Sequence, residues 1–244
     1  MPRVPAVPPD VWHVQPLDTA LATLTAARRL GRGARLLSVI TGPAGVGKSF
    51  AAKVYAGKNA GAVYATAPPR DLVTPKTLLE EIIAVTGASV SSWRAMTLFR
   101  DLVAHLLGQN MFLIIDEADR LRPSHCDLLR DLAEQSHTPV CFVGCPRLTD
   151  ILQRVPATHH RIAIKLTIPP LAWDDFYRVF MGRFTDDTLK AIYHSTAGNL
   201  RHIQALITLA TEATTRKDGA AVAITPTIIK SITTRFLFGS GVAA

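Results

Sequence analysis

A chain of 244 residues, 48% hydrophobic and only 19% charged, can bury one good-sized core with a small satellite and is too apolar for an intrinsically disordered protein. No apolar run reaches the roughly 18 residues that cross a bilayer, and proline interrupts residues 1–10 where a secretory leader needs a continuous apolar helix, so the expectation is a cytoplasmic protein with no membrane partner. A net charge of +8, with Arg28, Arg29, Arg32, Arg35, Lys53, Lys58, Arg94, Arg100, Arg120, Arg122 and Arg130 spread along the chain, suits a folded surface that meets a polyanion such as DNA.

Residues 1–16 read as a Pro-rich extended arm. Leu17, Leu21, Leu24 and Leu30, with Ala20 and Ala27, then trace an amphipathic helix. A strand is expected at 36–40, followed by Gly42-Pro43-Ala44-Gly45-Val46-Gly47-Lys48-Ser49, which satisfies the G-x-x-x-x-G-K-[ST] pattern, and by a helix-compatible stretch at 50–55. A second strand at 62–66 stops at Pro68-Pro69. Thr74-Pro75 caps a helix carrying Leu78, Leu79, Ile82 and Ile83 that ends at Gly87. Ser91 or Ser92 starts another, with Met96, Phe99, Leu102, Val103 and Leu106 on one face. A third strand at 111–115 delivers Asp116 and Glu117. Pro123 opens a helix with Leu128, Leu129 and Leu132, a fourth strand enters at 139–143, a short helix spans 148–155, and a fifth strand lies at 161–166. Beyond Pro169-Pro170 the pattern is helical throughout, at 172–182, 186–195, 199–215 and 225–236. Strands alternating with helices predict a parallel sheet covered on both faces.

Among three cysteines, Cys141 and Cys145 share a face of one strand about 13 Å apart at roughly 3.3 Å per residue, too far for a disulfide. Cys126 occupies an apolar helix position, so all three read as small core residues in a reducing compartment. The histidines show no ligand spacing, and His159-His160 reads as exposed loop.

The two motifs make one chemical proposition. Gly42, Gly45 and Gly47 let backbone N–H groups converge on phosphates at a helix N-terminus. Lys48 neutralises the β and γ phosphates, Ser49 offers a hydroxyl to Mg²⁺, and Asp116 holds the same ion through water. Glu117 is left to polarise the attacking water.

These residues resemble the AAA+ ATPases over nearly the whole chain. The resemblance implies an α/β P-loop core with a five-stranded parallel sheet at 17–168, then a small all-helical lid at 169–244. It implies ATP and Mg²⁺ as cofactors, held along Gly42 to Ser49 and at Phe50 and Asp116. It also implies a first sensor after the fourth strand, an arginine finger before the fifth, and a second sensor in the lid. Gly198-Asn199-Leu200-Arg201 looks like that second sensor, which puts Arg201 on the nucleotide of its own subunit. Arg161 is placed to reach a neighbour's γ-phosphate, with Arg154 as the alternative. The sequence departs from the family at Val143-Gly144-Cys145-Pro146, which lacks the sensor Asn and leaves Cys145 or Thr149 as substitutes.

Within that family, Ile114-Ile115-Asp116-Glu117-Ala118-Asp119-Arg120-Leu121 followed by Phe142-Val143-Gly144-Cys145-Pro146-Arg147-Leu148 looks like the DNA-transposition regulators of the MuB, TnsC and TniB group. That likeness implies a protein that self-associates into a ring or filament on duplex DNA and recruits a transposase. A helicase loader or replication initiator that remodels a protein partner is the alternative. In such rings the segments after the second strand and before the third face the axis, which nominates Arg70, Lys76, Arg94 and Arg100 as DNA phosphate contacts.

Overall fold

The most apolar segments of the chain form the middle of a sheet. In the computed structural model, which describes residues 14–31, 36–215 and 223–237, α1 (Gln15–Leu30) precedes β1 (Leu37–Thr41), α2 (Lys48–Lys58), β2 (Ala62–Thr66), α3 (Pro75–Thr86) and α4 (Ala95–Leu106). Then come β3 (Phe112–Asp116), a 3₁₀ turn at Ala118–Arg120, α5 (Pro123–Ser136), β4 (Val140–Gly144), α6 (Arg147–Gln153), α7 (Pro156–His159) and β5 (Ile162–Thr167). Beyond β5 the described residues carry α8 (Trp173–Phe180), α9 (Asp186–Thr196), α10 (Leu200–Thr214), α11 (Pro226–Ile232) and a π-helical turn at Thr233–Leu237. Most of the expected arm, together with Arg32 and Arg35, lies outside the described residues.

The sheet has five parallel strands in the order β2-β3-β4-β1-β5. The chain leaves β1 toward β2 on one side, while β5 lies on the other. The loop after β1 therefore occupies the point where strand order reverses, which is where ligands sit in open α/β sheets. Leu78, Leu79 and Ile82 of α3, Leu98, Leu102 and Leu106 of α4, and Leu129 and Leu132 of α5 bury their stripes against Leu113, Ile115 and Phe142 of the sheet. By internal contacts, the described residues among 19–43 and 48–168 form this sheet unit, and residues 14–18, 44–47, 169–215 and 223–237 form a helical unit. In the helical unit Phe176, Phe180, Leu189, Ile192, Ile203, Leu206 and Ile229 are buried, and Trp173, Phe176 and Tyr193 stack as an aromatic cluster.

Several sequence expectations shift. The first helix starts at Gln15, inside the expected arm, and Leu30 is exposed at its end. α4 starts at Ala95 rather than at Ser91 or Ser92, because Ser91 spends its amide and its hydroxyl on Asp101 Oδ2, at 2.6 and 2.8 Å, instead of capping the helix. Its buried face is Leu98, Leu102 and Leu106; Met96 is 63% exposed and with Phe99 lines a groove of about 420 Å³ between α3, α4 and α5. The helix expected at 148–155 is split at Pro156, which holds Val155 at φ −126°, ψ 77°, outside helical space. β4 ends at Gly144, ahead of Pro146, so Cys145 lies beyond the strand. His159 belongs to α7, half-buried, and accepts from Lys165 Nζ at 2.7 Å.

Candidate functional site

The phosphate-loop sequence connects β1 to α2. Gly45 and Gly47 have φ of 84° and 99°, values that a side chain disfavours, whereas Gly42 at 158° sits at the edge of extended space. A Cβ on Gly45 would come within 2.3 Å of Asn199 Oδ1, and one on Gly47 within 2.7 Å of Leu17. Lys48 is buried and folds back on its own loop, its Nζ donating to the carbonyls of Gly42 at 2.8 Å and Pro43 at 2.7 Å. Burial holds the Lys48 pKa below its ordinary value, against the opposing pull of the Asp116, Asp119 and Glu117 carboxylates nearby. Lys48 opens the helix after β1, and Asp116 and Glu117 lie at the end of β3, a strand of the same parallel sheet.

Asp116 ends β3 with 2% of its surface exposed. Its Oδ2 accepts the Tyr64 hydroxyl at 2.5 Å and its Oδ1 accepts the Glu117 amide at 2.9 Å. Glu117 takes a left-handed backbone, φ 54° and ψ 32°, which turns the chain out of the strand, and its carboxylate pairs with Arg120 at 3.5 Å. Arg120 also donates to the Ala67 carbonyl at 3.1 Å, and Ala67 N–H donates to Asp116 O at 2.8 Å, so the ends of β2 and β3 are tied. Asp119 accepts the Cys145 amide at 2.9 Å; a Cβ on Gly144 would approach Asp119 Oδ1 to 2.8 Å. Burial raises the Cys145 thiol pKa, opposed by Lys48. Ser49 and Asp116 offer hard oxygen donors, the kind that fits Mg²⁺, an ion that keeps much of its water. Among the described residues no group of three or more His, Cys, Asp or Glu forms a metal cage of its own.

In the helical unit, Asn199 caps α10: its Oδ1 accepts the amides of Arg201 at 3.1 Å and His202 at 3.2 Å. Its Nδ2 donates to the Ala44 carbonyl at 2.7 Å, and Arg201 N–H donates to Gly45 O at 3.2 Å. The Arg201 side chain is exposed. Arg161 is engaged with Glu134 of α5 and with the Ala157 carbonyl, and Arg154 is exposed just after α6. Arg70, Lys76, Arg94 and Arg100 are all exposed. Arg70 donates to the Asp119 carbonyl at 3.1 Å, Lys76 pairs with Glu80 at 3.6 Å, Arg94 precedes α4, and Arg100 borders the groove. Phe50 lies half-buried in α2, and Thr149 is exposed in α6.

The sequence profile of the AAA domain matches residues 31–152, half of the chain and all of the segment from the phosphate loop through β4. The chain belongs to the AAA domain family. A potential ATP-binding protein of Staphylococcus aureus is 27% identical over 107 residues, covering 38% of this chain and 40% of that one. Among solved structures, the ORC2 protein of Aeropyrum pernix, in ADPNP–ADP complexes, aligns with a TM-score of 0.64 at 16% identity, covering 88% of this chain and 66% of the other. The ORC1 protein of the same organism, in complex with DNA, aligns at 0.64 and 19% identity, over 88% and 63%. The chain therefore spans less than two thirds of each relative's length, and at these identities the solved structures show the fold.

Against that AAA+ fold, the motif residues are where the spacing places them: the loop after β1 and the carboxylates after β3. Four contributors at the carboxylates and the loop were not assigned roles from sequence. Tyr64, Asp119 and Arg120 fix the carboxylate turn, and Asn199 holds the loop through Ala44. A tyrosine inside a parallel strand, whose hydroxyl needs a partner when buried, was the one signal available for Tyr64. Asn199 carried the signal of an N-cap residue, but no local pattern reveals a bond 155 residues away.

Proposed function

We propose that this chain is a Mg²⁺-dependent ATPase that binds duplex DNA and remodels a protein partner, in the manner of a replication initiator or helicase loader. The observation that carries the reading is the placement of a phosphate-loop lysine after β1 and an Asp-Glu pair at the end of β3 in one parallel sheet. The likeness of fold to a DNA-complexed ORC1 protein and a nucleotide-complexed ORC2 protein supports the DNA and nucleotide parts of it.

In this reading the backbone N–H groups of Gly42 and of Ala44 to Phe50, with the Lys48 ammonium, hold the ATP phosphates. Ser49 and Asp116 hold Mg²⁺, which supplies charge neutralisation at the phosphates. Glu117 orients water for attack once it is released from Arg120. Arg201 contacts the nucleotide of its own subunit, and Arg161, or Arg154, serves the site of a neighbour in a self-associated ring or helix. A planar, permanently charged guanidinium suits that task. Arg161 must exchange Glu134 for phosphate to do so. Arg70, Lys76, Arg94 and Arg100 contact DNA phosphates.

A second reading, a transposition regulator that recruits a transposase, is supported by the segments 114–121 and 142–148. Electron microscopy of the protein on linear duplex with ATP discriminates the two: continuous filaments favour the transposition reading, short discrete assemblies the initiator. The ATP site itself is tested by Lys48→Ala, which should lose nucleotide binding, and Glu117→Gln, which should keep ATP and lose turnover. Wild-type hydrolysis in Glu117→Gln would remove Glu117 from its role.

A further inference from the structure

Tyr64 belongs to an edge strand, two residues before the strand's end, yet its hydroxyl lies 2.5 Å from the buried carboxylate of Asp116 on the neighbouring strand. In the parallel register Thr66, not Tyr64, is paired with Asp116, so the phenol reaches diagonally along the sheet. The ring is held in place by Lys53 of α2, whose Nζ stands 5.3 Å from the ring centroid, a cation–π distance. The two oxygens of Asp116 are thereby treated differently. Oδ1 accepts the amide of the next residue, a bond that belongs to the backbone turn, and Oδ2 accepts a hydroxyl from 52 residues away.

A carboxylate on a terminal sp³–sp² torsion has a broad, nearly two-fold rotational freedom. The Glu117 amide alone leaves much of it, whereas a second, charge-assisted bond on the other oxygen removes it. Each carboxylate oxygen still keeps acceptor capacity for a further donor. We infer that Tyr64 is a positioning residue for the divalent cation of the nucleotide site: by fixing the rotation of Asp116 it presets the carboxylate for a metal-bound water. The inference rests on the reading of Ser49 and Asp116 as cation ligands. It adds to that reading a residue outside both motifs.

The test uses the full chain, a fluorescent ADP analogue, and titration with MgCl₂ against an EDTA arm. Tyr64→Phe keeps the ring and its contact with Lys53 and deletes the hydroxyl alone. The Mg²⁺ concentration that half-saturates the affinity gain should rise about tenfold in Tyr64→Phe, the scale on which residues behind a metal ligand act. Affinity in EDTA should stay within about twofold of wild type. Because Tyr64 acts through Asp116, Tyr64→Phe should add nothing further in an Asp116→Asn background. An unchanged or lowered Mg²⁺ requirement in Tyr64→Phe, with a normal gain in wild type, overturns the inference and spares the site. Equal weakening in Mg²⁺ and EDTA, or additivity with Asp116→Asn, also overturns it, since either means a packing role. A wild-type protein whose affinity gains nothing from Mg²⁺ overturns the reading of the cation site and the inference with it.

Discussion

The centre of the sheet and its edges are built to different standards. β1, β3 and β4 are buried at every position, while β2 and β5 are mostly half-exposed. The central strands deliver the phosphate loop and Asp116, groups whose value lies in staying still. Edge strand β5 adjoins a group with an exchangeable partner. Arg161, beside β5, is held by a Glu134 pair whose side chains are 52% and 38% exposed, and exposed pairs of this kind are worth little. Electrostatic preorganisation needs low mobility and a low dielectric, and a strand flanked on both sides supplies both. In the role proposed for Arg161, at the site of a neighbouring subunit, the reverse is needed.

That contrast can be broken at its strongest point first. Phe142→Ala, in the fully buried β4, should cost about 3–5 kcal/mol in urea unfolding, and Val63→Ala on edge strand β2 about 1 kcal/mol. Equal losses would mean that the edges share the rigidity of the centre. Neutralising Arg70, Lys76, Arg94 and Arg100 together should lower the salt slope of duplex binding by about one per lost phosphate contact. Nucleotide affinity should hold, and stability should stay within about 0.5 kcal/mol for each exposed site. An unchanged slope would move the DNA surface elsewhere. Arg161→Ala should leave stability within about 1 kcal/mol of wild type while abolishing ATP turnover in the assembly, and mixing it with Glu117→Gln subunits should restore some turnover at mixed interfaces. No recovery at any ratio, with co-assembly demonstrated by crosslinking, would assign the role to Arg154. The smallest effect is local: Thr74→Ala removes the cap of α3, where Thr74 Oγ1 accepts the Thr77 amide at 3.1 Å, and should cost about 1 kcal/mol by thermal melting.

Local rules were legible where a short stretch decides the outcome. Pro75 after Thr74 and the left-handed Gly87 at φ 72° bound α3 as the sequence indicates, because caps and backbone conformations are set by adjacent residues. The apolar run before Asp116 becomes a strand buried at all five positions, since an unbroken apolar run with no polar alternation can sit only between two covering layers. The phosphate loop was legible for the same reason, glycine spacing being a statement about φ angles. Amphipathicity alone could not orient α4, because Met96 and Phe99 are as apolar as the buried Leu98; the groove beside α3 and α5 takes the former.

The sequence by itself determined the parallel α/β core, the phosphate loop, the carboxylate pair and the predominantly helical character of the described residues past Pro170. Only the tertiary structure decided that Asp116 is held by Tyr64, that Glu117 and Arg161 are paired with Arg120 and Glu134, and that Asn199 holds the Ala44 carbonyl. Periodicity and capping are encoded within a few residues. Apart from the short Glu117–Arg120 pair, whose left-handed turn follows from leaving the strand, these contacts join groups far apart in the chain, brought together by the tertiary fold, which no local pattern records.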